Sequence, residues 1–102
     1  MSASSIYNYE TVAASQTAQV LGVTGGKGDF ISHVIIIPAL AAAGLVTLLD
    51  GSTSIPIFVG GAVTALPSCI PFTVPLNLVS QTGAWKITTG ASVSVIAVGD
   101  FL

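Results

Sequence analysis

Apolar and polar residues alternate with a period of two through much of the chain, which predicts β-strands rather than helices. The segment FISHVIII, residues 30–37, is apolar at both parities except at Ser32 and His33. A strand of this kind is typical of the centre of a sheet that is covered on both faces. We therefore expect residues 30–37 to form a central strand of the core.

The next two apolar segments flank a tight turn. Residues 45–49 and 55–59 lie on either side of Asp50-Gly51-Ser52-Thr53, and an Asp-Gly pair favours a two-residue turn because glycine accepts positive φ. Pro56 interrupts the second segment, and proline lacks the N–H group that a β-ladder needs. The pattern predicts a hairpin whose second strand lies at a sheet edge or carries a bulge.

The C-terminal half contains three further predicted strands. Alternation over residues 72–78 predicts one buried face, made by Phe72, Val74, Leu76 and Leu78. The turn-forming residues 80–83 follow, so we expect residues 84–88 to return as the partner strand of a second hairpin. Residues 92–98, SVSVIAV, form the last predicted strand.

Together with a weaker strand at residues 18–21, the chain has about seven short predicted strands and no convincing helix. Short strands separated by turns at this spacing predict an all-β fold, a small antiparallel β-sandwich or barrel. A length of 102 residues fits one domain, which we place at residues 16–102. Residues 1–15 are mostly polar and are predicted to form an N-terminal arm.

Composition adds one anomaly to this picture, a shortage of charge. Charged residues make up 6% of the chain and hydrophobic residues 52%, with a mean hydropathy of +0.93, whereas ordinary soluble domains carry about 25% charged residues. Disordered chains are poor in hydrophobic residues and rich in charge, so this composition excludes a disordered chain. With Lys27 and Lys86 as the only basic residues and a net charge of −2, the chain has no basic surface for nucleic acid.

The shortage of charge favours a protein that works inside an assembly. A folded chain of this mass exposes roughly 5,300 Å², and six charged residues leave large parts of that area uncharged. Single-copy soluble proteins seldom expose large contiguous apolar patches. We therefore expect neighbouring copies or a larger assembly to cover part of the surface, which favours a structural subunit.

A small membrane protein such as a phage holin is an alternative, because residues 34–49 and 51–85 carry no charge. The first segment is shorter than the approximately 20 residues that a spanning helix needs. The second contains Pro56, Pro67, Pro71 and Pro75, and neither segment is flanked by clusters of Lys or Arg. The sequence therefore favours a chain with no membrane partner.

The candidate catalytic residues have simpler explanations. The loop GVTGGKG, residues 22–28, differs from a phosphate-binding loop in two ways. The spacing from Gly22 to Lys27 is one residue too short, and Gly28 stands where such a loop has Ser or Thr. We therefore interpret it as a turn. His33 and Cys69 are interpreted as a packed histidine and a small buried thiol rather than as a catalytic pair. Asp29, Asp50 and Asp100 lie beside turns or strand ends, where aspartate caps backbone amides.

These features predict a protein that is not an enzyme and that uses no cofactor or metal. Trp85, together with Tyr7 and Tyr9, could instead form a platform on which sugars stack. A core tryptophan beside Ile87 is the interpretation we prefer, because carbohydrate modules usually present several aromatic residues with polar neighbours.

Three segments carry a resemblance to a known group of proteins: FISHVIII, DGSTSIPIF and above all QTGAWKITTGASVSVIAVGDF, residues 81–101. The chain resembles roughly hundred-residue virion proteins of tailed bacteriophages. The shared features are the size, the low number of charged residues, the order of the strands, and a last Trp-Lys strand with a Thr-Thr-Gly turn. The resemblance covers most of residues 29–101 and leaves the N-terminal arm unmatched.

The resemblance implies a jelly-roll-like β-sandwich that serves as a capsid decoration, or cement, protein. It implies a homotrimer that is made in the host cytoplasm and binds outside the lattice of the major capsid protein. A trimeric fibre or a receptor- or carbohydrate-binding module is the alternative. The arm and two loops are the predicted capsid contacts, with candidate residues Ile6, Tyr7, Tyr9, Lys27, Pro67 and Pro71.

Overall fold

The computed structural model describes residues 7–39, 44–59 and 71–102. Within these residues the protein is all-β, without a helix, and it has eight strands where the sequence predicts about seven. The strands are β1 (Asn8–Val12), β2 (Gln19–Val20), β3 (Phe30–Pro38), β4 (Val46–Asp50), β5 (Thr53–Phe58), β6 (Phe72–Val79), β7 (Trp85–Thr89) and β8 (Val93–Asp100).

The strands form two antiparallel sheets of four strands each, an arrangement compatible with a β-sandwich. The first sheet has the order β1-β8-β3-β6, and the second has the order β2-β7-β4-β5. Every second residue of β4, β7 and β8 is buried, and β3 shows the same alternation with one interruption at Ser32 and His33. The largest fully buried side chains are Trp85, Leu21, Ile31, Ile36, Leu48, Ile87, Val12, Val34, Val46, Val93 and Val95.

The central strand predicted at residues 30–37 is confirmed as β3, which lies between β8 and β6. Its inner face contributes Ile31, Val34 and Ile36 to the core. The side chains of Ile35 and Ile37 point to the opposite face and are only half-buried. Within the described ranges the second sheet packs on one side of β3 only, so the expected cover is present on the inner face alone.

The hairpin predicted around Asp50 is confirmed as β4 and β5, in which Asp50 pairs with Thr53. Gly51 has a φ of 59°, which places it in the left-handed region that glycine adopts without steric cost. Strand β5 lies at the edge of its sheet, and the pairing shifts register next to Pro56. Both consequences expected of Pro56, the edge and the bulge, are therefore present.

The eighth strand comes from the segment that the sequence assigns to an arm. Asn8–Val12 forms β1 and pairs with β8 at the edge of the first sheet. Val12 is fully buried beside Val95. Polar residues at the edge of a sheet weaken the alternation signal, and pairing with an apolar neighbour supplies the stabilisation that the local sequence lacks.

The second predicted hairpin is wrong. Strand β6 pairs with β3 in the first sheet, whereas β7 pairs with β2 and β4 in the second. The connection between them crosses from one sheet to the other, and its residues Gln81 and Thr82 are fixed by hydrogen bonds to the Asp50 side chain. A short polar connection looks the same in sequence whether it closes a hairpin or crosses a sandwich.

Strand β6 has the predicted face but buries less of it than the sequence predicts. Phe72, Val74 and Leu76 pack against the core as predicted, but Leu78 is 40% exposed. Asn77 has a φ of 54°, and the register of β3 with β6 shifts at the same point. Leu78 pairs with the fully buried Ile31, so its side chain stays on the predicted face, near the end of this edge strand. Across the described ranges, no helix is long and apolar enough to cross a membrane.

Candidate interaction surface

The outer face of the first sheet is built on a pair of isoleucines at its centre. Ile35 of β3 lies directly opposite Ile96 of β8, and both side chains point away from the core and are half-buried. Ile37 follows two residues later on β3 and therefore lies on the same face. The two central strands thus present β-branched apolar side chains outward, where antiparallel sheets usually carry polar ones.

Aromatic residues extend this face towards one edge of the sheet. Tyr9 of β1 pairs with Val98 of β8 and is 72% exposed. The ring of Tyr7 lies 5.4 Å from that of Phe30, measured between centroids. We define the apolar face as the outer-face side chains of Tyr7, Tyr9, Phe30, Ile35, Ile37, Val79, Ile96 and Val98.

The polar groups on this face lie mostly around the apolar side chains. Thr11 and Thr73 flank the Ile35–Ile96 pair on the two edge strands. His33 occupies the bulge of β3, where its Nδ1 lies 3.0 Å from the Ser32 hydroxyl. Asp100 pairs with Phe30 at the end of β8. Among the described residues, the only carboxylate on the face is therefore at its margin, and the centre carries no charged side chain.

The second sheet presents a different outer face. At its centre Thr47 of β4 lies directly opposite Thr88 of β7, the same relationship that Ile35 and Ile96 have in the first sheet. Lys86 pairs with Leu49 on the same face, and Ser54 lies on the edge strand beyond Leu49. Hydroxyl groups and a lysine make this face the polar one, so the two sides of the protein differ in chemistry.

An open groove of about 600 Å³ runs along the β1 edge of the first sheet. Its wall includes the Glu10 carboxylate, whose Oε1 accepts a hydrogen bond from the Gly22 amide at 2.7 Å. Oε2 accepts one from the Gln19 side-chain amide at 2.8 Å. These bonds hold the turn after β2 against β1. The groove is lined by Tyr7, Asn8, Tyr9, Glu10, Gly22, Val23, Phe101 and Leu102.

The structure separates the predicted contact residues. Tyr7 and Tyr9 lie together at one edge of the apolar face. Lys27 is exposed in the loop between β2 and β3, and Pro71 is exposed immediately before β6. The remaining two candidates, Ile6 and Pro67, lie outside the described residues.

The predicted capping role of aspartate is confirmed at two positions. The Asp50 carboxylate accepts hydrogen bonds from the backbone amide of Gln81 at 2.9 Å and from that of Thr82 at 3.1 Å. Burial by itself would raise the pKa of Asp50, but three amides and a hydroxyl of residues 81–83 hold the pKa below its usual range. Asp29 is buried and accepts hydrogen bonds from the Gly26 and Leu102 amides. Both carboxylates thus stabilise the fold by accepting hydrogen bonds from backbone amides.

The structure describes only some of the other candidate chemical groups. Trp85 is 1% exposed, which confirms it as a core residue and removes it from any sugar platform. Cys69 lies outside the described residues, so its predicted burial stays a prediction. Within the part of the chain that the structure describes, no group of three or more His, Cys, Asp or Glu residues is placed to hold a metal ion.

Sequence reasoning missed the apolar face as a site, although its signal was present. Residues 30–37 are apolar at both parities, and Ile96 and Val98 fall between the buried residues of β8. A strand with two apolar faces needs two partners, and only one is supplied within the described chain.

No family model, curated protein or solved structure matches this chain.

Proposed function

We propose that this chain is a structural subunit of a tailed-bacteriophage virion, a capsid decoration protein that binds the outside of the major capsid protein lattice and stabilises the head. The observation that carries the proposal is an outward apolar face on a chain with only six charged residues. Such a surface suits a subunit whose neighbours cover it. The resemblance of most of residues 29–101 to small virion proteins indicates that this assembly is a phage virion.

The strand order supports the jelly-roll part of this proposal. Jelly rolls consist of eight strands in two sheets, wound as two Greek keys. In this chain successive strands alternate between the first and second sheets, except that β4 and β5 are neighbours in one sheet. The resulting orders, β1-β8-β3-β6 and β2-β7-β4-β5, are those that such winding produces.

The mechanism is stabilisation by mass action. A subunit that binds the expanded shell and not its unexpanded or disassembled form shifts the equilibrium towards the expanded shell. We propose that the chain is made in the host cytoplasm and forms a homotrimer. A trimer binds the capsid more tightly than a monomer, because three weak contacts are joined in one particle. Of the candidate contact residues, Lys27, Pro71, Ile6 and Pro67 lie outside the apolar face and are the proposed capsid contacts.

Localisation on the virion tests this function. Virions from the source of the chain are labelled with gold-conjugated antibody against it, and the same particles are imaged by cryo-electron microscopy. Density and label distributed over the head surface are expected. Label confined to the tail or fibres would contradict decoration and support the fibre alternative, and unlabelled virions would contradict both.

A receptor- or carbohydrate-binding module is a second candidate, favoured by the groove that places Tyr7 and Tyr9 beside Asn8 and Glu10. Exposed aromatic rings next to polar side chains are the usual components of sugar sites. A glycan array separates the two functions. Retention of a saccharide by the intact chain and its loss in Tyr9→Ala would support the module, because Tyr9 is 72% exposed and its replacement spares the core.

A further inference from the structure

We infer that the apolar face is the surface on which copies of this chain pack against one another. The inference rests on the homo-oligomer of the proposed function and assigns a surface to it. In a trimer the first sheet of each copy then faces the common axis, and the polar outer face of the second sheet points away from it. Tyr7 and Tyr9 contact a neighbouring copy in this arrangement rather than the capsid.

The central strand β3 is apolar on both of its faces. In β3, Ile31, Val34 and Ile36 are fully buried in the core, while Ile35 and Ile37 are half-buried on the outer face. Strands that are apolar on both faces occur where both faces are covered. Within the described ranges the second sheet covers the inner face of β3 and leaves Ile35 and Ile37 to be covered from outside.

The outer face of the first sheet is large enough for an interface between copies. Strands of eight or nine residues, as in β3, β6 and β8, are about 28 Å long, and four strands are about 19 Å wide. The face thus offers roughly 500 Å² per copy, or about 1,000 Å² in total for two copies stacked face to face, which reaches the lower limit for a specific interface. A twisted sheet also packs well on another of the same twist, at about 30°.

The centre of the apolar face carries no charged side chain among the described residues. A second copy brings the same uncharged centre to the contact, so neither partner buries an unpaired ion, which would be costly. Asp100 lies at the end of the face next to Phe30 and can stay in water at the rim. A partner chosen by opposite charge has no charged centre to recognise on the described face. A second copy of the chain is the occupant that this chemistry favours.

The test is the mass of the purified full chain in solution, measured by light scattering and by analytical ultracentrifugation over a range of concentrations. We expect an integral multiple of the 10.2 kDa chain, with two copies stacked face to face or three around an axis. Ile96→Lys places a charge at the centre of the contact and should raise the dissociation constant about 100-fold or more. Thr88→Lys is the matched control, because Thr88 lies opposite Thr47 at the centre of the polar face.

A second variant keeps the test valid if Ile96→Lys does not fold, as judged by its circular dichroism spectrum. Tyr9→Lys replaces a side chain that is 72% exposed, so the isolated chain should stay folded while association weakens about 10-fold. A wild-type chain that remains a monomer at millimolar concentration would overturn the inference. So would variants of the two faces that associate equally well.

The outcomes separate this inference from the proposed function. Loss of association in Ile96→Lys but not in Thr88→Lys, together with unlabelled virions, would support the apolar face as the self-association surface and reject decoration. Labelled heads, with a monomeric wild-type chain and normal head binding by Ile96→Lys, would support decoration and reject the inference.

Discussion

The indole nitrogen of Trp85 donates a hydrogen bond of 2.8 Å to the backbone carbonyl oxygen of Asp29. Trp85 begins β7 in the second sheet, and Asp29 immediately precedes β3 in the first. Both residues are buried, so the bond joins the two sheets inside the protein. It gives a polar atom of the largest core side chain a partner that only the folded chain provides.

Replacement of Trp85 by phenylalanine should therefore lower the free energy of unfolding by about 2 kcal/mol or more. The substitution leaves the Asp29 carbonyl without this donor and also removes buried volume. Urea unfolding followed by circular dichroism measures the change. Ile87→Val, in the same strand and core, is the control for packing alone and should cost about 1 kcal/mol. Equal losses in both variants would show that the hydrogen bond contributes nothing.

The Asp50 carboxylate gives the protein a predictable response to acid. Because hydrogen bonds hold the folded-state pKa of Asp50 below its ordinary value of 3.8, its stabilising effect is fully present above about pH 4. That effect is lost as the pH falls through the folded-state pKa. Asp50→Asn should lower stability by about 1–3 kcal/mol at neutral pH and weaken the dependence on pH below about 4.

Thermal unfolding of both proteins between pH 2 and pH 7 measures this effect. Asp100→Asn, at an exposed carboxylate on the end of β8, is the control and should retain the wild-type dependence at low pH. If Asp50→Asn and wild type differ by the same amount at pH 2 and at pH 7, the Asp50 carboxylate does not act through its charge.

Gly99 marks a close approach between two strands of the first sheet. A Cβ at this position would overlap the Phe30 carbonyl oxygen and lie 2.8 Å from the Ile31 Cα, and backbone atoms can move away only by distorting the β3–β8 pairing. Gly99→Ala should therefore cost about 2–3 kcal/mol. Gly26→Ala is the control, because the nearest atom, Leu102 Cδ1, is 3.6 Å from a Cβ there. Similar chemical denaturation midpoints for the two variants would contradict this explanation.

Shortening the N-terminus distinguishes a strand from an arm. Deletion of residues 1–12 removes β1 and the fully buried Val12, so the melting temperature should fall by at least about 5 °C, for a loss of about 1 kcal/mol or more. Deletion of residues 1–6 spares β1 and should leave the melting temperature nearly unchanged.

The shorter deletion also tests the proposed attachment to the capsid. If residues 1–6, which include Ile6, bind the capsid, their deletion should reduce occupancy of the head in the labelling experiment while the chain stays folded. Unchanged occupancy would remove these residues from the mechanism. An equal loss of thermal stability in both deletions would instead show that residues 1–6 stabilise the domain.

The sequence by itself determined the features that depend on neighbouring residues. Alternation identified β3 and predicted that Phe72 and Val74 face the core, and the Asp50-Gly51 turn identified the β4–β5 hairpin, because backbone preferences and the period of two act within a few residues. The low number of charged residues likewise indicated that part of the surface would be uncharged.

Only the tertiary structure decided which strands share a sheet and which apolar side chains remain outside. Strand β1 is stable through its pairing with β8, and β6 and β7 separate into different sheets although a short connection joins them. Ile36 and Ile37 are adjacent and chemically identical, yet one is buried and the other half-buried. The difference arises because the second sheet packs against one face of β3, and that contact comes from residues distant in the sequence.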